Sequence, residues 1–263
     1  DIVDIDREDQ WRIARECLDP LHGVVPYSLT VGNHDMKSNG DASLFQKFFP
    51  ASRFRNFAWY GGTYEHPRPD QRHIRDSDVH ELSALMKDWP DREFNIEGNP
   101  LHNLIPLIEK YQPHQCTFVP DSQNQLTSDH GWSLPQCNDQ LIPLIQAAKE
   151  AGSRVSLFMD ADASLMPLAQ QIGADRVELY TEPYAAAFAS GQYSSVLNDF
   201  AKAAQAAADV GLGVNAGHDL NLFNLTPFLK ACPQVQEVSI GHAFMADALE
   251  LGYAATTQAY LAS

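Results

Sequence analysis

The sequence predicts an α/β protein built on a parallel sheet, and three observations predict it. From about residue 94 onward, short β-branched or aromatic runs alternate with longer stretches of helical spacing. The alternation gives six strands at intervals of 20–40 residues, and strands joined by helices pair in parallel, because parallel pairing needs a crossover. Polar residues also collect where these strands would end, at Glu97, Asp160, Glu178, His218 and His242. Parallel-sheet enzymes keep their chemistry at that edge. Two closures fit, an open doubly wound sheet or an eight-stranded barrel.

The elements follow in order. Residues 7–19, with Trp11, Ile13, Ala14 and Leu18, read as an amphipathic helix. VVPYSLTVG (24–32) and NFAWYGGTYEH (56–66) read as strands flanking a helical stretch at 42–49, a βαβ unit that would bring the strand total to eight. FNIEG (94–98) is a strand, and 101–111 follows with helical spacing. QCTFVP (115–120) is the next strand, and 134–152 is a helix closed by glycine. RVSLFMD (154–160), RVELYTE (176–182), GVNAGHD (213–219) and VQEVSIGHA (235–243) are the remaining strands. Helices at 165–173, 194–211 and 224–231 separate them, and a last helix ends near Leu261.

Bulk properties narrow the function. The chain has 263 residues, 44% of them apolar, enough for one large barrel or two small domains. No run approaches the ~20 apolar residues of a membrane helix, and no basic-then-apolar leader opens the chain. A net charge of −16 argues against a nucleic-acid surface. It leaves anionic substrates open, since a pocket can be locally positive. Cys17, Cys116, Cys137 and Cys232 form no CxxC pair, so no zinc site or disulfide framework is indicated and a cytoplasmic location is expected. No GxGxxG and no GxxxxGK[ST] is present.

Four groups of residues carry chemistry. HPRPDQRH (66–73) places His66, Arg68, Arg72 and His73 on one short loop, suited to a phosphate or carboxylate; a solvated charged loop is the competing reading. NAGHD (215–219) and IGHA (240–243) each put Gly-His at a strand end, where glycine admits a ligand and a following helix offers N–H donors. Each histidine alone could equally cap a helix or pack in the core. Glu97 and Glu178 end otherwise buried strands, so each is paired or poised as a base. Together with His66 and His218 they would serve acid–base chemistry on a small molecule. Asp160 and Asp162 in MDADAS could be a metal pair, but a helix N-cap before Ser164 is preferred.

The pieces HPRPDQRHIRDSDV, FNIEGN, QCTFVPDSQNQLTSDHGW, RVSLFMDAD, VELYTEPYA, VNAGHDLN and SIGHAF occur in order over residues 65–263. In these pieces the chain resembles the pyridoxine 5′-phosphate synthase family. That resemblance implies a TIM-type (β/α)8 barrel, usually octameric, condensing 1-deoxy-D-xylulose 5-phosphate with 3-amino-2-oxopropyl phosphate. The products are pyridoxine 5′-phosphate, phosphate and water, with no metal or cofactor. By motif, His66 and Glu97 look like proton acceptors and His218 like a proton donor. Arg68, His73 and Thr127 would hold the xylulose phosphate, Gly241 and His242 the phosphate of the amino ketone, and Glu178 would lie in the same mouth. The chain departs from the pattern in three places. The family's Asn, Asp-His and Arg cluster of the first strand has no clear copy, which implies impaired activity. Asp219 stands where glycine is common and would repel a phosphate unless it turns away. Pro67 and Pro69 stiffen the basic loop.

Residues 1–64 resemble something else. DIVD (1–4), GNHD (32–35) and SLFQKFFPASRFRN…WYGGTY look like a fragment of a calcineurin-like metallophosphoesterase. In that family Asp1 and Asn33 would bind metal and His34 would sit near the scissile phosphate, but the upstream Asp-x-His is absent. The expectation is therefore a junction of unlike pieces near residue 64, with no working metal centre. The foreign βαβ unit would fill the first barrel positions, setting Asn33, His34 and Asp35 at the mouth. A phosphoesterase fragment and a non-catalytic barrel that binds sugar phosphates are the alternatives to the synthase.

Overall fold

The computed structural model describes Val3 and residues 6–21, 43–49, 64–65, 75–122 and 128–263. The chain divides into two compact units, residues 62–241 and residues 1–61 with 242–263.

The larger unit is one parallel sheet. Its strands are β1 (Tyr64–Glu65), β2 (Asn95–Gly98), β3 (Gln115–Phe118), β4 (Arg154–Met159), β5 (Arg176–Tyr180), β6 (Gly213–Gly217) and β7 (Val235–Ser239). They lie side by side in chain order, each parallel to the next. That order decides between the two closures. A doubly wound sheet reverses its strand order at a switch point. Here the order never reverses, and right-handed crossovers then put every helix on one face, as in a barrel wall. Among the described residues there are seven staves. Of the expected strand 56–66, Tyr64–Glu65 is described, and the expected strand 24–32 lies outside the described residues.

The outer face carries α3 (Asp76–Met86), α4 (Leu104–Tyr111), α5 (Asn138–Glu150), α6 (Met166–Gln171), α7 (Glu182–Ala189), α8 (Ser194–Asp209) and α9 (Leu225–Ala231). α4 packs on β2, α5 on β4, and α8 on β5 and β6. The sheet meets them with Ile96, Cys116, Phe118, Val155, Leu157, Met159, Val177, Leu179, Val214 and Ala216, all essentially fully buried. Tyr184 of α7 is fully buried against Phe200 and Phe228, and its hydroxyl donates to the Asn224 carbonyl at 2.8 Å.

The alternate residues are polar. In register, Glu97 faces Thr117, Thr117 faces Ser156, and Ser156 faces Arg176. One step on, Glu178 faces Asn215 and Asn215 faces Glu237. Side chains of paired residues share a face, so the inner face carries a polar layer, with Phe158 beside Glu178 as its apolar member, and several of its residues bond one another. Arg176 donates to Asn215 Oδ1 at 2.9 and 2.6 Å and pairs with Glu237 at 3.2 Å. Asn95 bonds Thr117 at 3.2 Å.

The smaller unit contains two helix pairs. α1 (Glu8–Leu18) packs on α2 (Ser43–Phe48), burying Trp11 and Phe49 with Val3, Ala14, Leu18 and Leu44. Ile13, expected on the apolar stripe, is 54% exposed. It stands off the i, i+3, i+4, i+7 line of residues 11, 14, 15 and 18. Arg15 lies on that line and donates to the Phe48 carbonyl at 2.5 Å. The expected last helix is two, α10 (His242–Leu251) and α11 (Tyr253–Leu261), parted by Gly252 at φ +80°. They join through Phe244 against Tyr253 and Tyr260, and the Tyr260 hydroxyl donates to Asp247 at 2.6 Å.

Candidate active site

Seven parallel strands put all their C-terminal ends at one edge, and the described candidates gather there. Glu97 on β2 is 6% exposed and Glu178 on β5 is 2% exposed. Burial pushes the Glu97 carboxyl well above the usual carboxylate range, and the carboxylates of Glu178 and Asp121 push it the same way. Three strand spacings separate β2 from β5, about 14 Å on a flat sheet. That the Glu178 carboxylate nonetheless raises Glu97 agrees with a curled sheet. Burial likewise pushes Glu178 up to about 7, with the Glu237 carboxylate adding to it and a hydrogen bond from Ser239 opposing it. Asp121, 3% exposed just past β3, accepts from Ser128 Oγ at 2.7 Å.

Gly217 explains how Glu178 fits. A Cβ there would lie 2.2 Å from Glu178 Oε1 and 3.1 Å from Ser239 Cβ. The glycine at the end of β6 therefore makes room for a carboxylate.

Further out, Val119, Phe158 and Tyr180 form a buried apolar cluster. Tyr180 meets His218 edge-to-face at 5.2 Å. Burial raises the Tyr180 hydroxyl to about 12, helped by the carboxylates of Glu182, Asp219, Asp129 and Asp160. The loop after β3 is tied to the end of β4. The Gly131 N–H donates to Asp160 Oδ1 at 3.0 Å, Trp132 N–H to the Phe158 carbonyl at 3.0 Å, and Trp132 Nε1 to the Phe118 carbonyl at 2.8 Å. Gly131 is required there, because a Cβ would lie 2.3 Å from the Asp160 nitrogen.

His218 and Asp219 leave β6 in an unusual backbone. Their φ values are +91° and +59°, the left-handed region that side chains disfavour. The Thr181 hydroxyl donates to the Gly217 carbonyl at 2.7 Å and contacts that of His218. Asn224 Nδ2 donates to the Asp219 carbonyl at 3.1 Å. His218 Nδ1 lies 3.3 Å from Asp219 Oδ2.

The other candidates divide as follows. Gly241 and His242 are exposed just beyond β7, and His242 opens α10. His66, Arg68, His73 and Thr127 lie outside the described residues, as do Asp1, Asn33, His34 and Asp35. Asp160 and Asp162 are not a cation pair. Asp160 takes the Gly131 N–H, and Asp162 Oδ1 accepts from the N–H and hydroxyl of Ser164. That turn precedes α6, which starts at Met166, so Asp162 shapes a turn and does not cap the helix as expected. Among the described residues, no three His, Cys, Asp or Glu side chains are grouped to hold a metal. No described helix is long and apolar enough to cross a membrane. All four cysteines are free thiols. Asp121, Tyr180 and Arg176 escaped the sequence reading. The polar–apolar alternation of QCTF, RVEL and RVSL was the signal that could have found the inner polar face.

A family described as pyridoxal phosphate biosynthesis protein PdxJ matches residues 61–263. Pyridoxine 5′-phosphate synthase of Albidiferax ferrireducens is 63% identical over 205 residues, covering 76% of this chain and 81% of that protein. The enzyme of the same name from Xanthomonas axonopodis pv. citri is 53% identical over 207 residues, with the same two coverages. Among solved structures, a mutant tryptophan synthase alpha-subunit from Pyrococcus furiosus aligns with a TM-score of 0.47 at 12% identity, over 85% of this chain and 91% of that one.

Proposed function

The chain belongs to the PdxJ family over residues 61–263, and from that premise we propose that it acts in vitamin B6 biosynthesis as a pyridoxine 5′-phosphate synthase. The substrates in this reading are 1-deoxy-D-xylulose 5-phosphate and 3-amino-2-oxopropyl phosphate. One observation supports it above the rest. Two buried carboxylates, Glu97 and Glu178, share the inner face that ends at His218.

The chemistry asks for such a set. An amine condenses with a ketone, water and phosphate leave, and a carbon–carbon bond closes the ring. Each step needs a proton taken from carbon or nitrogen and a proton given to a departing oxygen. Burial raises both carboxyls above the ordinary carboxylate range, which suits groups that take up and return protons. Glu97 takes the role of proton acceptor with His66, and His218 that of proton donor. Arg68, His73 and Thr127 hold the xylulose phosphate, and Gly241 and His242 the other phosphate. These roles come from the motifs, and residues 66–73 follow β1 in the sequence. The octameric assembly rests on the resemblance, and the cytoplasmic location on four cysteines that form no CxxC pair. The division at residue 64 rests on the two unlike resemblances, and the filling of the first staves by residues 24–32, 42–49 and 56–66 goes beyond either family, from their strand–helix–strand order.

Replacement of His218 by alanine tests the reading. Turnover falls by ~10²-fold or more if this histidine is the general acid. Retention of full turnover would remove it from that role.

A further inference from the structure

We propose that Asp219 is the positioning residue of His218: its carboxylate accepts the Nδ1–H of the imidazole and leaves Nε2 to exchange protons with substrate. The inference deepens the reading of His218 as proton donor and rests on it.

Three observations carry it. The first is distance, with His218 Nδ1 3.3 Å from Asp219 Oδ2, within hydrogen-bond reach. The second is backbone. Two consecutive non-glycine residues at positive φ cost of order 1–3 kcal/mol each, and such strain persists where the surroundings enforce it, typically at functional sites. The surroundings do enforce it here, through Thr181 on the Gly217 and His218 carbonyls and Asn224 on the Asp219 carbonyl. Glycine would adopt both conformations without strain, so a side chain at 219 is held at a cost. The third is the mouth itself. Tyr180 packs its ring edge-to-face on His218, leaving orientation within that packing to be set by a bond to a ring nitrogen. An acceptor on one nitrogen fixes the tautomer and so decides which nitrogen faces the reaction.

This also settles the oddity of an acidic residue beside a site for anions. A carboxylate turned onto the imidazole does not point at a phosphate, and the imidazole N–H offsets part of its charge.

The test uses the full chain. Nitrogen-15 spectra of the histidine rings, with the His218 signals identified by their loss in His218→Ala, report the tautomer directly. In the native protein the neutral His218 ring carries its proton on Nδ1. In Asp219→Gly, which suits φ +59° and removes the acceptor, the proton moves to Nε2. The kcat of that variant falls roughly tenfold, a fraction of the 10²–10⁴ that a general acid supplies, and KM holds within about twofold. A native ring protonated on Nε2, or an Asp219→Gly enzyme with unchanged kcat, overturns the proposal. Full turnover in His218→Ala would instead overturn the role of His218, while the spectra still decide whether Asp219 orients the ring.

Discussion

Glu178 lies against Gly217, and that contact sets two expectations for single residues. Gly217→Ala places a methyl group 2.2 Å from Glu178 Oε1. The carboxylate is the free end of a flexible side chain, so the fold survives while the carboxylate moves. Displacement of a reacting group by about 1 Å can cost ~10²-fold in rate, and steady-state kinetics beside a melting curve will show that loss with little change in Tm. The second expectation concerns pH. The Glu178 carboxyl titrates at about 7 in the folded protein, above its ordinary value of 4.5. Between those values the unfolded chain has lost the proton and the folded one keeps it. Stability from this group is therefore full below pH 4.5 and falls as pH rises through 7. At 1.36 kcal/mol per pKa unit the loss is at most roughly 3 kcal/mol. Glu178→Gln flattens the decline in denaturation midpoint between pH 5 and 8. An unchanged slope would place the titration elsewhere.

At the scale of elements, the strands were the most legible part. β2 to β7 each fall within the run that predicted them, because short apolar runs bounded by Gly, Pro and Asp are hard to read otherwise. Two helices were missed. α7 starts at Glu182, inside the run read as a strand tail, and only Pro183 at its second position marks the change. α3 follows a proline-rich basic stretch of sequence, and it buries only three residues, Val79, Leu82 and Met86. Of the proposed site, the buried carboxylates Glu97 and Glu178 and the two Gly-His turns stand out in the sequence at strand ends. Arg176 and Asp121, whose roles come from strand register and loop position, do not. Two measurements belong here. Trp11→Ala removes the centre of the α1–α2 core, fully buried and 6.2 Å from Phe49, at a cost of about 3–5 kcal/mol. Hydrogen exchange should then quicken throughout α1 and α2. In the native protein, residues 24–32 should exchange as slowly as β2 if they serve as the first stave. Exchange at the rate of a free peptide would rule that out.

The larger unit of the molecule is a parallel wall, apolar on its helix side, with two buried carboxylates and a strained histidine turn on its strands' C-terminal half. The wall places Glu97 and Glu178 where burial raises both carboxyls. Two buried carboxyls with raised pKa values suit a sequence of proton transfers better than a single hydrolysis. The central claim is that this site joins two phosphorylated carbonyl compounds into one ring. The most direct test supplies both substrates, without added metal, and follows phosphate and pyridoxine 5′-phosphate together. The account predicts that the two appear in equal amounts and that neither forms when one substrate is withheld. Phosphate released from either substrate alone, with no ring formed, would contradict it.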